Sequence, residues 1–317
     1  MARSSVGDAA FASSARADER RLDFMNLGVL GAQLTAWAAC LWLAPRSGSL
    51  LLLVPLVIFF CLMMQGVFSL MHECFHGHAH TNKKLNDAMC WLATTLFGAS
   101  ATLIRLNHLG HHVRNRTRAE LVDYVEADES RLKKTIAYYI AVFGGIWFAA
   151  FAGSLLLAVL PTRVARGLDK RGRANTYAAA FAAFDSADFA RIRFEVLAAF
   201  AFWAAAFWLL ELHWQYVLLL YAAFAVSWSS LQWIYHVRTP LHVVEGTYNV
   251  RSPWWIRWLF LNFNYNLTHH REPTLRWQRM HAATDLKLTR PFWRTWLAIL
   301  KPPVPIPADR TITKTYF

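Results

Sequence analysis

The chain has 317 residues, 56% of them hydrophobic and 15% aromatic, with a formal net charge of +13. That is too apolar for an ordinary soluble domain and suits a single membrane domain with a polar cap. The basic residues alternate with long apolar runs, so they read as juxtamembrane charge facing anionic lipid, and nucleic acid is not an expected partner.

In chain order, residues 1–24 are polar and of mixed charge. They lack an apolar core before a small-residue cleavage site, so no secretory signal peptide is expected and the segment reads as a cytosolic tail. A spanning helix needs about 20 apolar residues. Residues 25–45 and 49–70 qualify and are joined at Pro45-Arg46-Ser47-Gly48, which makes 25–70 a transmembrane hairpin. Residues 71–134 are polar and histidine-bearing, apart from a short apolar stretch at 86–104 suited to an interfacial helix or a re-entrant segment. Residues 135–161 are apolar but carry Gly144, Gly145 and Gly153. The segment 162–193 is basic, with Arg163, Arg166, Lys170, Arg171, Arg173, Arg191 and Arg193, and its Ala-rich run at 178–183 reads as helical. Residues 194–212 and 215–235 form a second hairpin, 194–235, with almost no loop. The remainder, 236–317, reads as a cytosolic cap whose Pro-rich tail from Pro302 is irregular. There is no internal repeat, and 1–317 reads as one domain.

The thirteen histidines are grouped. His72 and His76 are four apart, and His108, His111 and His112 follow at i, i+3 and i+4; on helices, such spacings stack rings on one face. His269 and His270 form a late pair, and His236 ends the fourth span one turn after Gln232. One shared site requires all of them on one side of the membrane. Two hairpins satisfy that, provided 135–161 enters and returns, or lies along the surface, bending near its glycines. The positive-inside rule puts the basic segment, and with it the histidines, in the cytosol; of the 33 Lys and Arg residues only Arg46 falls on the other side. The expected fold class is therefore all-α: a multi-pass membrane protein with two long hairpins, one extra re-entrant or interfacial segment, and a cytosolic cap bearing the histidine clusters. In a bacterium it would lie in the inner membrane. Eight imidazoles exceed the needs of one ion, and two ions sharing them is the economical reading. Ligand type alone does not separate iron, copper, zinc and nickel.

His72-Glu73-Cys74-Phe75-His76, His108-Leu109-Gly110-His111-His112 and Asn266-Leu267-Thr268-His269-His270, with Arg271-Glu272-Pro273 through Trp277 downstream, resemble the membrane fatty acid desaturase family, whose boxes read HxxxH, HxxHH and [HQ]xxHH. The resemblance covers roughly residues 50–280. It implies a non-haem centre of two iron ions, O₂ as co-substrate, an external electron donor such as a ferredoxin-like protein, and a lipid or acyl substrate, free or bound to CoA or a carrier protein. It also implies that His236 joins the metal site, with Gln232 acting through water. Asn266 departs from the family's His or Gln; as a neutral carboxamide it is expected to bind metal or hold a water.

Glu73, Asp87, Asp123, Glu245 and Glu272 are candidates to accept a ligand's second N–H, with Asp123 and Glu272 favoured. His78 and His80 read as outer donors or solvent-facing residues, and His213 as interfacial. His242 and His281 have no spacing argument. The four cysteines form no CxxC pair and read as reduced, buried thiols. An alkyl C–H bond offers no acidic proton and no leaving group, so its oxidation calls for a reduced metal and O₂. Desaturation is the leading expectation, with hydroxylation or acetylene formation open on the same scaffold. Of another class, His72-Glu73-Cys74-Phe75-His76 also matches the HExxH zinc peptidase motif, which would leave the other clusters idle. A metal transporter would need ionisable residues inside its spans; 25–45 and 49–70 offer only Gln33 and Gln65.

Overall fold

Backbone polar groups in lipid must be satisfied within their own segment, so apolar runs of this length fold as helices. In the computed structural model, which describes residues 4–165 and 184–307, that is what they do. Helices α1 (Ser4–Leu43) and α2 (Leu50–Phe75) form the first hairpin, and α7 (Ser186–Leu209) and α8 (Trp214–His236) the second. Arg46, at the first turn, reaches Glu211, at the second, at 3.3 Å. Both turns therefore lie at one end of the molecule, and His72, His76 and His236 lie at the other.

Five helical stretches are long and apolar enough to cross a membrane: Ala17–Arg46, Leu50–Phe75, Arg131–Val159, Ser186–Leu209 and Trp214–His236. Their outward faces carry exposed apolar side chains such as Leu50, Leu51, Ile58, Phe194, Leu197 and Phe200, as lipid contact requires. Inside, α2 packs against α1, α3 and α8. Phe60, Phe68, Phe97, Tyr221, Phe224 and Trp228 meet there largely edge to face, with centroids 5.0–6.4 Å apart.

Helices α3 (Lys83–Phe97) and α4 (Ala101–Arg114) together are apolar enough for one span but bend by 97° at their junction. Gly98 sits there at φ +93, a conformation that costs other residues strain, and a Cβ would press on Trp147. The apolar stretch expected at 86–104 is thus a helix pair broken at Gly98. Between α5 (Arg131–Ile140) and α6 (Ile146–Val159), five residues form a π turn with Phe143 and Gly144 outside helical geometry, Gly144 at φ +118. The bend falls at the glycines that the sequence singled out. The α5 end is anchored by Tyr138, which donates to the Ile299 carbonyl at 2.9 Å. Beyond the α6 end, Arg193 near the start of α7 donates to the Leu160 carbonyl at 2.7 Å.

The cap holds four short helices, α9 (Trp254–Leu259), α10 (Asn266–Arg271), α11 (Trp277–Ala283) and α12 (Phe292–Ile299). Two small parallel strand pairs stitch it: β1 (Tyr124–Val125) with β4 (Val304–Pro305), and β2 (Asn249–Arg251) with β3 (Thr289–Pro291). The tail beyond Pro302 is therefore ordered at its start.

The N-terminal segment, read as a polar tail, is part of α1, which is helical from Ser4; its Glu19 and Asp23 bind Arg276 while its Asp18 and Glu19 bind Arg279. Charge on this helix answers charge on the cap. The Ala-rich run at 178–183 and Arg166, Lys170, Arg171 and Arg173 fall outside the described residues. All four cysteines are free and buried.

Candidate metal centre

Four elements bring histidines together. The end of α2 carries His72 and continues to His76 at its C-cap; α4 carries His108, His111 and His112; α8 ends on His236; α10 carries His269 and His270. The α4 helix is aimed by caps. Ser100 caps its N-terminus, and the Glu195 carboxylate of α7 accepts from Ser100 Oγ at 2.5 Å and from the Thr102 amide at 3.0 Å. A carboxylate at a helix N-terminus is favoured by the unpaired amides and the macrodipole.

The nitrogens fall into two groups, His72, His76, His108, His112 and His269 in one, and His111, His236 and His270 in the other, each with its ligand atoms within 4.8 Å of one another. In the first, Nε2 of His76 and His108 are 2.8 Å apart, His108 and His112 3.1 Å, and His112 and His269 3.0 Å. Each Nε2 carries one proton or one lone pair, so a run of such contacts cannot be fully satisfied as hydrogen bonds. Metal–nitrogen bonds of about 2.0–2.1 Å set at right angles put neighbouring nitrogens about 2.9 Å apart. The spacing is that of adjacent ligands on one ion. Nε2 of His72, buried and without a hydrogen-bond partner, completes the set. The donor set therefore fits a metal.

The second group is held from behind. His111 Nδ1 meets Glu120 Oε2 at 2.5 Å, and His236 Nδ1 meets the Gly246 carbonyl at 3.2 Å. An N–H donated on that side leaves the Nε2 lone pair for metal. The groups adjoin, with the His112 and His270 rings 4.7 Å apart.

Burial holds His76 down to about 4, helped by His78 and Arg105 nearby. His269 and His270 lie well below the ordinary range, first through burial and then through neighbouring histidines. All three are neutral and ready to ligate at pH 7.

The favoured outer acceptors are corrected. Asp123 faces Arg116 at 2.6 and 3.2 Å and accepts the Arg238 amide, while Glu272 is exposed past the end of α10. A buried guanidinium claims Asp123 before an imidazole can. Glu120 and the Gly246 carbonyl, which the sequence reading missed, take the role; an acid nine residues past His111, across the turn after α4, was the available signal. Of the other candidates, Glu73 accepts the Trp277 amide at 3.1 Å, Asp87 meets Lys83, and Glu245 meets Arg271.

Asn266 is buried, and its Oδ1 accepts from Thr247 Oγ1 at 2.5 Å, which leaves one lone pair. Gln232 Nε2 is buried without a partner. The remaining five histidines are not in either group. His78 stacks on His76, while His80 accepts the Asn82 amide and His242 those of Val244 and Glu245. His281 bonds the Tyr265 hydroxyl, and His213 stands at the far end of α8.

Helices long enough to span, with eight imidazoles gathered at one end, define a polytopic membrane protein built around a metal centre. The fatty acid desaturase family model matches residues 15–295. The chain belongs to the fatty acid desaturase family, and with that come oxidoreductase chemistry, a lipid substrate and a place in the membrane. A search of curated proteins finds no match.

Proposed function

We propose that this protein is an O₂-dependent diiron oxidase that desaturates a fatty acyl chain. The convergence of eight histidines from four elements into groups of five and three carries the reading. His72, His76, His108, His112 and His269 would hold one iron, and His111, His236 and His270 the other. Asn266 would ligate or hold a water through its free lone pair, and Gln232 would act through water. Iron bound there supplies the O₂ activation that an unactivated C–H bond requires. The chain's own residues do the rest. Glu120 and the Gly246 carbonyl fix the tautomers and orientations of His111 and His236. Burial of His72, His269 and His270 holds these three rings away from bulk solvent.

The histidine end is read as cytosolic, on the positive-inside rule, and as facing the inner-membrane cytoplasm in a bacterium. The polar anchors at both ends of α5–α6 support an entering and returning segment, which leaves two crossing hairpins and one shared face for the site. An external donor of ferredoxin type would supply electrons, its acidic surface meeting the basic face of the protein. The acyl substrate would arrive free or bound to CoA or a carrier protein.

The peptidase reading loses support from Glu73, whose carboxylate is buried and bonded to the Trp277 amide instead of facing a water beside His72 and His76. Expression in a host of defined lipid composition, with mass spectrometry of acyl chains, tests the proposal. A product two hydrogens lighter, absent with His111→Ala, supports it; a product heavier by one oxygen shifts the reaction to hydroxylation. Metal analysis giving one zinc and no iron would sink it.

A further inference from the structure

Directly past His236, the cap holds a half-open cavity of about 280 Å³ between the end of α8 and α12, lined in part by Val237, Arg238, Tyr248, Arg290, Arg294 and Thr295. Its floor is the buried set Val237, Tyr248 and Thr295, and its rim is cationic. None of the three guanidinium groups has a carboxylate partner among the described residues, whereas Arg116, Arg271 and Arg276 all have one. Asp123, bonded to the Arg238 amide, gives its charge to Arg116.

Arg238 shows that the arrangement is built. It sits at φ +56, where a non-glycine residue is uncommon, and is clamped there from both sides: its amide by Asp123 and its carbonyl by the Tyr248 hydroxyl. Its Nη2 donates to the Pro302 carbonyl at 3.0 Å, and its Nε is buried without a hydrogen-bond partner. A buried, unpaired guanidinium nitrogen is costly unless something accepts from it. The Arg290 guanidinium carbon lies 3.6 Å over the Tyr248 ring, which orients the guanidinium plane, and its N–H groups have no hydrogen-bond partner among the described residues.

The surroundings set the depth. Trp293, Trp296 and Leu297 of α12 are exposed, as are Trp254, Trp255 and Trp258 of α9. Exposed indoles beside arginines mark the level of lipid headgroups. A cationic rim over an apolar floor at that level matches a phosphate carried on an apolar body, and guanidinium forks match its oxygens.

We propose that Arg238, Arg290 and Arg294 form a binding site for the phosphate of an anionic membrane lipid. The site needs neither metal nor turnover, so it stands or falls apart from the oxidase reading. The test uses the full chain in nanodiscs of phosphatidylcholine containing a minority of phosphatidylglycerol, with native mass spectrometry counting lipid retained after release. The wild-type protein retains phosphatidylglycerol, and Arg290→Gln with Arg294→Gln lowers that retention by about tenfold or more. Lys83→Gln with Lys84→Gln, on another face, leaves it unchanged. Arg238→Lys, which keeps the charge but removes Nε, lowers retention while the far-ultraviolet helical signal is kept. Equal retention by wild type and the arginine variants overturns the proposal. Displacement of the lipid by inorganic phosphate at equal concentration also overturns it, making the ligand a free anion.

Discussion

The five-histidine group and the three-histidine group adjoin, yet they are held in place by different means. In the larger one the rings brace each other: His72 packs edge-on against His108 and His269 at 4.4 and 4.3 Å. The nearest carboxylate, Glu73, stays 4.0 Å from His72 Nδ1. In the smaller one Glu120 and the Gly246 carbonyl hold two of the three rings by hydrogen bonds. Where the rings are many, packing orders them. Where they are few, each ring depends on a partner outside the group.

The largest test of that contrast is ligand removal. His270→Ala leaves the smaller group two nitrogens, so iron should fall from about two to about one per chain and product should vanish; His76→Ala leaves four in the larger group and should retain both ions. Equal metal loss from the two variants would erase the distinction. Asp123→Ala comes next. It strands the Arg116 guanidinium, which also donates to the Thr239 carbonyl beside the smaller group, and should cost about 3–5 kcal/mol in denaturation experiments. Glu120→Ala should weaken loading of one iron equivalent by about 10–100-fold in chelator competition and leave the other unchanged.

Acid probes both groups together. His76, His269 and His270 have folded-state pKa values below the ordinary 6.5. As pH falls below about 6.5 the unfolded chain takes up protons that the folded one refuses, so metal-free protein should lose stability steadily towards pH 4, where His76 begins to charge. A flat profile over that window, read by denaturation of metal-free protein, would remove the burial argument. The smallest effect is expected at Asn266. Asn266→Ala removes a neutral hydrogen bond to Thr247 and at most a weak ligand, so it should cost about 1 kcal/mol of stability and keep both iron equivalents in metal analysis.

Spans and boxes were legible because each is written locally, in about 20 apolar residues or in one helical turn of histidines. The bend near Gly144 was legible too, since paired glycines weaken a helix wherever they fall. What escaped the sequence depends on distant segments meeting. The docking of Asp18 and Asp23 onto the cap needs Arg279 and Arg276, more than 250 residues away. The loss of Asp123 to Arg116 needs the turn after α4, and the two- and three-residue strand pairs are too short to show a period. Glu195, by itself a charge in an apolar run, acquires its meaning only against the start of α4.

That helix has one more consequence. His108, His111 and His112 lie on α4 within two turns, but His111 serves one group and His108 and His112 the other. The gap between the proposed ions is thus gauged by a single rod, whose rise per residue does not vary with the loops around it.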